Sequence, residues 1–253
     1  MNPKVHIFIL NWNGQNYLPQ CLDSVKKIDY PNYKITVIDN NSNDKSILDI
    51  NDSNINIISH SKNYKYAKGY NKAIFSLIDD DSDYYLLLNN DTVCDQNILS
   101  SFIKGINSYG SNHIFGAKIL YNNQKNIIWY AGGQFGFFNF FISHKGIRNT
   151  DQNKFNFDSE TDYVTGCCLF ISKNKFFKLK GFNESFNMYG EDVDLCIRAQ
   201  KLGIKCYYIS DSKLWHSVSS SYGGHYSILK HLSKLKSFLK LIIKYPKTLI
   251  IGK

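Results

Sequence analysis

The chain has 253 residues, 43% of them hydrophobic and 15% aromatic, which is enough to bury a substantial core and excludes a disordered chain. Its formal net charge of +9 looks like a nucleic-acid signal until it is located: residues 225–253 hold seven of the 30 Lys and Arg and no acid, leaving 23 against 21 acids elsewhere, so no nucleic-acid partner is expected. Six scattered cysteines without a paired C-x-x-C suggest neither a zinc site nor a disulfide framework, and no run is long enough for a spanning helix or a signal core; the reading is a reduced, cytoplasmic chain.

In chain order, Val5 to Leu10 reads as a central strand that ends in the polar loop Asn11-Trp12-Asn13-Gly14. Leu18, Cys21, Leu22 and Val25 then recur at helical spacing. Tyr33 to Ile38 is a second strand, and it too ends in polar residues, from Asp39 to Asp44. An Asp at that place is either a turn residue or helix cap, or the acceptor that a nucleoside hydrogen-bonds. Ile55 to Ile58 gives a short third strand, Ala67 to Ile78 a helix entered through Asn63-Tyr64-Lys65-Tyr66, and Tyr84 to Leu88 a fourth strand. This alternation predicts an α/β fold with a mostly parallel, Rossmann-like sheet and helices on both faces. No G-x-G-x-x-G follows the first strand and no G-x-x-x-x-G-K-[ST] occurs, so the nicotinamide and P-loop readings fail. A nucleotide bound here needs its diphosphate neutralised by a metal instead.

The fourth strand delivers Asn89-Asn90-Asp91 to its carboxyl end, where ligands of open α/β sheets bind. A carboxylate there suits a metal-bound phosphate, although Asn-Asn-Asp also makes a turn and a helix cap. Ile98 to Ile106 reads as a helix and Ile114 to Tyr121 as a strand. Trp129 to Phe141, with Gly132, Gly133 and Gly136 among Trp129, Tyr130, Phe135, Phe137, Phe138, Phe140 and Phe141, predicts a twisted hairpin that buries aromatics, or else a sugar-stacking surface. His144 to Asp158 reads as a mobile polar loop of the kind that carries acceptor contacts, and Tyr163 to Ile171 as a buried strand. Gly190 then opens a helix from Glu191 to Lys201 with three carboxylates in its first turn, where the dipole favours the ionised form. An ionised carboxylate at a pocket mouth can take a proton from an attacking hydroxyl, whereas Asp194, four residues before Arg198, suits an ion pair. The alternative is an acidic helix start without chemistry. Lys205 to Ile209 is the last expected strand, and His216, beside Trp215, gains a role only with a partner metal.

Asn11 to Asn13, Asp39-Asn40, Asn63 through Gly69 to Asn71, Leu86 to Asp91, Thr165-Gly166, Gly181-Phe182 with Glu184, Tyr189 to Leu195 and His216 stand in an order that resembles family 2 glycosyltransferases. The resemblance covers roughly residues 4 to 220. It is closest to the bacterial rhamnosyltransferase-like branch, which shares the Gly-Glu-Asp-Val-Asp-Leu wording. It implies a GT-A fold and inverting transfer of a sugar from a nucleoside-diphosphate donor, with dTDP-rhamnose as the expected donor, to a glycan or lipid-linked acceptor in cell-surface polysaccharide synthesis. It further implies that Asn11, Asn13 and Asp39 line the nucleoside pocket, with Asn63, Gly69, Asn89 and Asn90 on the same donor side. Asp91 corresponds to the metal-binding Asp of the D-x-D motif, and His216 completes the Mg²⁺ or Mn²⁺ site. Asp192 corresponds to the general base, with Glu191 beside it. The first Asp of D-x-D is Asn89 here, which leaves the cation one protein carboxylate. The alternatives are a non-catalytic sugar-nucleotide-binding subunit of a glycan-assembly complex and a sugar nucleotidyltransferase. Retention of Asp91, Asp192 and His216 argues against the first, and the lack of a glycine-rich loop near the N-terminus against the second.

The expected division is a glycosyltransferase domain over residues 1–224, with a donor-binding half to about 120 and an acceptor-binding, catalytic half after it. Residues 225–253 form a separate basic helix. In that helix Ile228, Leu232, Leu235, Leu239 and Ile242 follow helical spacing among Lys230, Lys234, Lys236, Lys240 and Lys244. Such a helix either lies on an anionic membrane at the inner face of the cell membrane or packs on the domain or on a second subunit as a homodimer.

Overall fold

The computed structural model describes residues 2–77, 79–136, 141–186, 188–218 and 228–251. Strands β1 (Val5–Asn11), β2 (Tyr33–Asp39), β3 (Ile55–Ser59) and β4 (Tyr84–Asn89) run parallel in the order β3-β2-β1-β4. Consecutive residues of β1 and β4, such as Phe8 with Ile9 and Leu87 with Leu88, are fully buried. Neighbours on a strand point to opposite faces, so both faces are covered at β1 and β4 and these strands read as unbroken apolar runs, whereas edge strand β3 buries only Ile55. Helices α1 (Leu18–Val25), α2 (Lys65–Ser76) and α3 (Ile98–Tyr109) supply the connections at the expected spacing, α3 turning Ile98, Leu99, Phe102 and Ile106 inward. In register, Asn11 lies opposite Asp39 and Leu10 opposite Asn89. Three strands therefore stop at one edge, where their polar residues emerge together.

The rest of the chain comprises β5 (Thr92–Cys94), β6 (Ile114–Tyr121), β7 (Gln124–Tyr130), β8 (Gly133–Gly136), β9 (Phe141–His144), β10 (Ser159–Thr161), β11 (Cys168–Ser172) and β12 (Cys206–His216), with helices α4 (Lys173–Lys178), α5 (Glu191–Gln200), α6 (Ile228–Lys244) and α7 (Pro246–Ile251). The sheet continues past β4 as β11, β6, β12 and β10, with β11 antiparallel to both neighbours and β12 parallel to β6. The result is a mixed sheet with a wholly parallel half, and β8 pairs with β9 in the expected hairpin. Phe137, Phe138 and Phe140 of that segment lie outside the described residues, as does Ile78 at the end of the expected second helix.

Three stretches differ from their sequence reading. The strand expected over Tyr163 to Ile171 begins only at Cys168, because the Gly166 N–H is committed to the Asp192 carboxylate and not to a ladder. The strand expected to end at Ile209 passes through an irregularity between Ile209 and Lys213 and continues to His216. There Asp158 accepts hydrogen bonds from the Ser210 N–H and hydroxyl, which lets the strand bend without leaving buried donors unpaired. The segment expected to be a mobile loop, His144 to Asp158, is pinned: fully buried Lys118 pairs with Asp151 at 2.9 Å and donates to Asn156, and the Tyr208 hydroxyl donates to the Phe155 carbonyl at 2.7 Å.

Candidate active site

The bend in β12 brings the last residues of that strand beside β5, where His216 lies opposite Thr92. The Ser217 N–H donates to the Asp91 carbonyl at 2.9 Å, and His216 Nε2 stands 3.2 Å from Asp91 Oδ1. Both side chains are buried, and His216 Nδ1 has no hydrogen-bond partner among the described residues. Trp129 meets the His216 ring edge-on at 4.7 Å. A carboxylate and an imidazole in contact, at the carboxyl edge of the sheet, are donors that suit a divalent cation. Among the described residues no group of three or more His, Cys, Asp and Glu gathers to hold a metal. The protein side therefore fits a cation that takes its remaining ligands from substrate oxygens and water.

Gly190 opens α5 with φ of 89°, and a side chain there would place Cβ 2.9 Å from Leu241 of α6, so both the turn and the close approach call for glycine. The first turn then presents Glu191 and Asp192. Asp192 is half-buried, with Oδ2 accepting the Gly166 N–H and Oδ1 accepting the Val193 N–H, both at 2.8 Å. Burial pushes its carboxyl above the ordinary value although these N–H groups favour the ionised form. Glu191 is buried, its Oε2 has no hydrogen-bond partner among the described residues, and burial followed by the Asp192 charge drives its carboxyl well above the usual range. Asp194 behaves oppositely. Burial alone would raise it, but Lys244 at 2.7 Å, Arg198 at 2.7 Å and the Tyr245 hydroxyl at 2.8 Å outweigh burial and hold it below the ordinary carboxylate value. The expected ion pair with Arg198 is present, joined by two partners from the C-terminal helices.

Glu191, Asp192 and His216 face one cavity of about 620 Å³ that Asn89 also lines. Tyr66, Trp129 and Tyr163 form aromatic walls. The Tyr66 hydroxyl donates to the Gly166 carbonyl at 2.5 Å, and a Cβ on Gly166 would fall 2.6 Å from that hydroxyl, so Gly166 lets α2 and α5 approach through one peptide. Lys234, Ser237, Phe238 and Leu241 of α6 close the cavity. Sequence reasoning missed this wall and missed Tyr66 and Tyr163 as lining residues, whereas Trp129 belongs to the segment whose alternative reading is a sugar-stacking surface. The only signal was spacing: Ser237 and Leu241 lie one turn apart, on a different face of α6 from the expected apolar stripe.

Near the ends of β1, β2 and β4, Trp12, Asn63, Lys65, Asn89 and Asn90 line a smaller cleft of about 90 Å³ that shares Tyr66, Asn89 and Met188 with the large cavity. Asn11 is fully buried next to it, donating to Ser46 Oγ at 2.9 Å and accepting from Asn90 Nδ2 at 2.7 Å. Asn13, with φ of 51°, accepts the Asn43 N–H at 2.8 Å, and the Asp39 carboxylate accepts the Ser42 N–H at 3.2 Å. Asn63 Oδ1 accepts from Asn40 Nδ2 at 3.0 Å. Gly69 packs with its Cβ direction 3.1 Å from Leu10 and 3.3 Å from Asn40, directly behind these two cleft-lining residues and not in the lining itself. The structure thus gathers Asn63, Asn89 and Asn90 at the cleft, puts Asn11 and Asp39 at the strand ends and Asn13 in the loop that brace it, and sets Gly69 behind it.

The family model described as glycosyl transferase family 2 matches residues 6–178, and one described as the N-terminal domain of galactosyltransferase matches 148–227. The chain belongs to glycosyl transferase family 2. It is 28% identical over 218 residues to the rhamnosyltransferase WbbL of Escherichia coli (strain K12), covering 81% of this chain and 80% of that one. A shorter match, 34% over 61 residues, covers 24% of this chain and 20% of the N-acetylglucosaminyl-diphospho-decaprenol L-rhamnosyltransferase of Mycobacterium tuberculosis (strain CDC 1551 / Oshkosh). Among solved structures, GalNAc-T7 with UDP, GalNAc and Mn²⁺ superposes with a TM-score of 0.74 at 15% identity, over 96% of this chain and 48% of that one. The mannosyltransferase PcManGT from Pyrobaculum calidifontis, in complex with GDP-Man and Mn²⁺, gives 0.67 at 12%, over 98% of this chain and 65% of that one. The chain is a rhamnosyltransferase-like glycosyltransferase with a GT-A fold, and it spans about half the length of GalNAc-T7.

Proposed function

We propose that this glycosyltransferase moves a sugar, with dTDP-rhamnose as the expected donor, from a nucleoside diphosphate to a hydroxyl of a glycan or lipid-linked acceptor, with inversion, in cell-surface polysaccharide synthesis. The observation that carries the reading is the convergence of Glu191, Asp192 and His216 on one cavity whose neighbouring cleft is lined by the strand-end asparagines. Likeness to WbbL favours rhamnose, and the name of the mycobacterial relative favours an acceptor carried on a lipid diphosphate. The donor half extends to about residue 120, with the acceptor and catalytic half following to about 224. The site would work at the inner face of the cell membrane.

Asp91 and His216 would hold a Mg²⁺ or Mn²⁺ ion, which supplies positive charge for the departing diphosphate. Lys65, in the lining of the smaller cleft, adds positive charge that attracts an anionic donor. Asp192, fixed by the Gly166 N–H, accepts the acceptor hydroxyl's proton as that oxygen bonds to the anomeric carbon and the bond from carbon to the diphosphate oxygen breaks. Burial raises the Glu191 carboxyl and so disfavours a second negative charge beside Asp192.

A panel of nucleotide sugars, assayed for nucleoside-diphosphate release with Mg²⁺ or Mn²⁺ and an acceptor, tests the proposal. dTDP-rhamnose should be turned over fastest, chelation should stop release, and Asp91→Ala should weaken donor binding at least about tenfold when metal is present. Full activity in the presence of chelator would remove the metal role, and turnover of another sugar alone would replace the donor.

A further inference from the structure

Among the described residues no helix is long and apolar enough to cross a membrane, yet α6 carries an apolar face that the other described residues leave uncovered. Leu232, Leu235, Leu239 and Ile243 recur at one helical stripe and are 56%, 53%, 50% and 81% exposed. The opposite face is anchored. Leu241, with Tyr245 just past the helix, is buried, the Ser237 hydroxyl donates to the Met188 carbonyl at 3.1 Å, and Lys244 pairs with Asp194. The helix therefore has two apolar faces, and packing on the domain satisfies only one.

We propose that the outer stripe of α6 docks on an anionic lipid surface, holding the catalytic cavity about one helix diameter, roughly 10 Å, from the headgroups. Charge complementarity selects this occupant. Exposed Lys236 borders the stripe one turn from both Leu232 and Leu239, Lys247 of α7 is exposed as well, Lys240 instead donates to the Ser185 carbonyl, and residues 225–253 hold seven lysines without one acid. A second copy laid on the same stripe would oppose lysine to lysine with no carboxylate on either helix to pair them. The inner face of the same helix supplies Lys234, Ser237, Phe238 and Leu241 to the cavity wall, so docking brings the reacting centre to the level at which a lipid-borne diphosphate emerges. This deepens the reading of a lipid-linked acceptor, but its test requires neither donor nor acceptor, so the two can fail separately.

The test is flotation of the full chain with phosphatidylglycerol-containing vesicles and with pure phosphatidylcholine vesicles, at low and high salt, for the wild type and for Leu239→Glu/Ile243→Glu. The wild type should float with the anionic vesicles at low salt and be released by high salt, and the double variant should lose at least about tenfold in vesicle affinity with an unchanged melting temperature. Lys236→Glu/Lys247→Glu should weaken anionic binding while leaving the weak partition to neutral vesicles as it was. Equal flotation of the wild type and the apolar variant would overturn the proposal. So would a wild type that stays off the vesicles but runs as a dimer in light scattering, with the variant monomeric, which would assign the stripe to a second copy.

Discussion

Two polar regions meet at Asn89, and they differ in how their hydrogen bonds are spent. Around the smaller cleft, Asn11, Asn40, Asn63 and Asn90 bond to one another and to Ser46 and nearby backbone, so the segments after β1, β2 and β4 form one cross-braced scaffold. In the large cavity, Glu191 and His216 each keep a buried polar atom without a partner among the described residues, and the Glu191 and Asp192 carboxyls are both pushed upward by burial. A buried polar atom left unmatched costs about 1–3 kcal/mol, which a fold tolerates where a ligand supplies the partner. Similar residues thus serve as a frame on one side and as a receptive surface on the other.

Substitutions should separate the two regions, and the largest effect belongs to the receptive side. Asp192→Asn keeps the Gly166 contact geometry and loses the base, so transfer should fall on the order of 10²- to 10⁴-fold while calorimetric donor affinity stays within twofold or so. Near-normal turnover by this variant would leave the two regions indistinguishable. In the frame, Asn11→Ala strands Ser46 and Asn90 and should cost roughly 2 kcal/mol of stability, read as a fall in Tm of about 4–8 °C. An unchanged Tm would show that the Asn11 network is not a brace.

The smallest expected effect is a gain. Glu191 has its folded carboxyl raised by burial, so it contributes stability that is complete at low pH and is lost as pH rises through the folded value. Glu191→Gln should therefore melt higher than the wild type near neutral pH, the gap closing as pH falls toward the ordinary carboxylate range of about 4. A gap that widens on acidification would reverse the assignment of burial as the cause.

The parallel half was legible because its inner strands, β1, β2 and β4, are largely buried on both faces and end abruptly in polar residues. Reading β4 as a strand that releases Asp91 at its end needed nothing beyond those two facts. His216 was harder to place, since β12 bends between Ile209 and Lys213 and the residues there break the apolar run that marks a strand. The Tyr163 to Cys167 stretch misled for the opposite reason: it is apolar and buried, yet its backbone turns to serve Asp192. In α6, the spacing of Leu232, Leu235 and Leu239 promised one apolar face, and nothing in that spacing says whether protein or another phase covers it. The second face, through Ser237 and Leu241, became visible only once Gly190 and Met188 stood against it.

Asp194 ties α6 to α5, because Lys244 and Tyr245 both reach a carboxylate that lies two residues after Asp192, the proposed base, and is itself fully buried. A shortened protein ending before residue 225 would consequently keep a negative charge in its interior with Arg198 and Asn183 as the remaining side-chain contacts, and would open the cavity to bulk water. Anyone trimming the chain for crystallisation or for a catalyst of reduced size would be altering the electrostatic footing of α5, so the outer stripe is better re-engineered by surface substitution than by deletion.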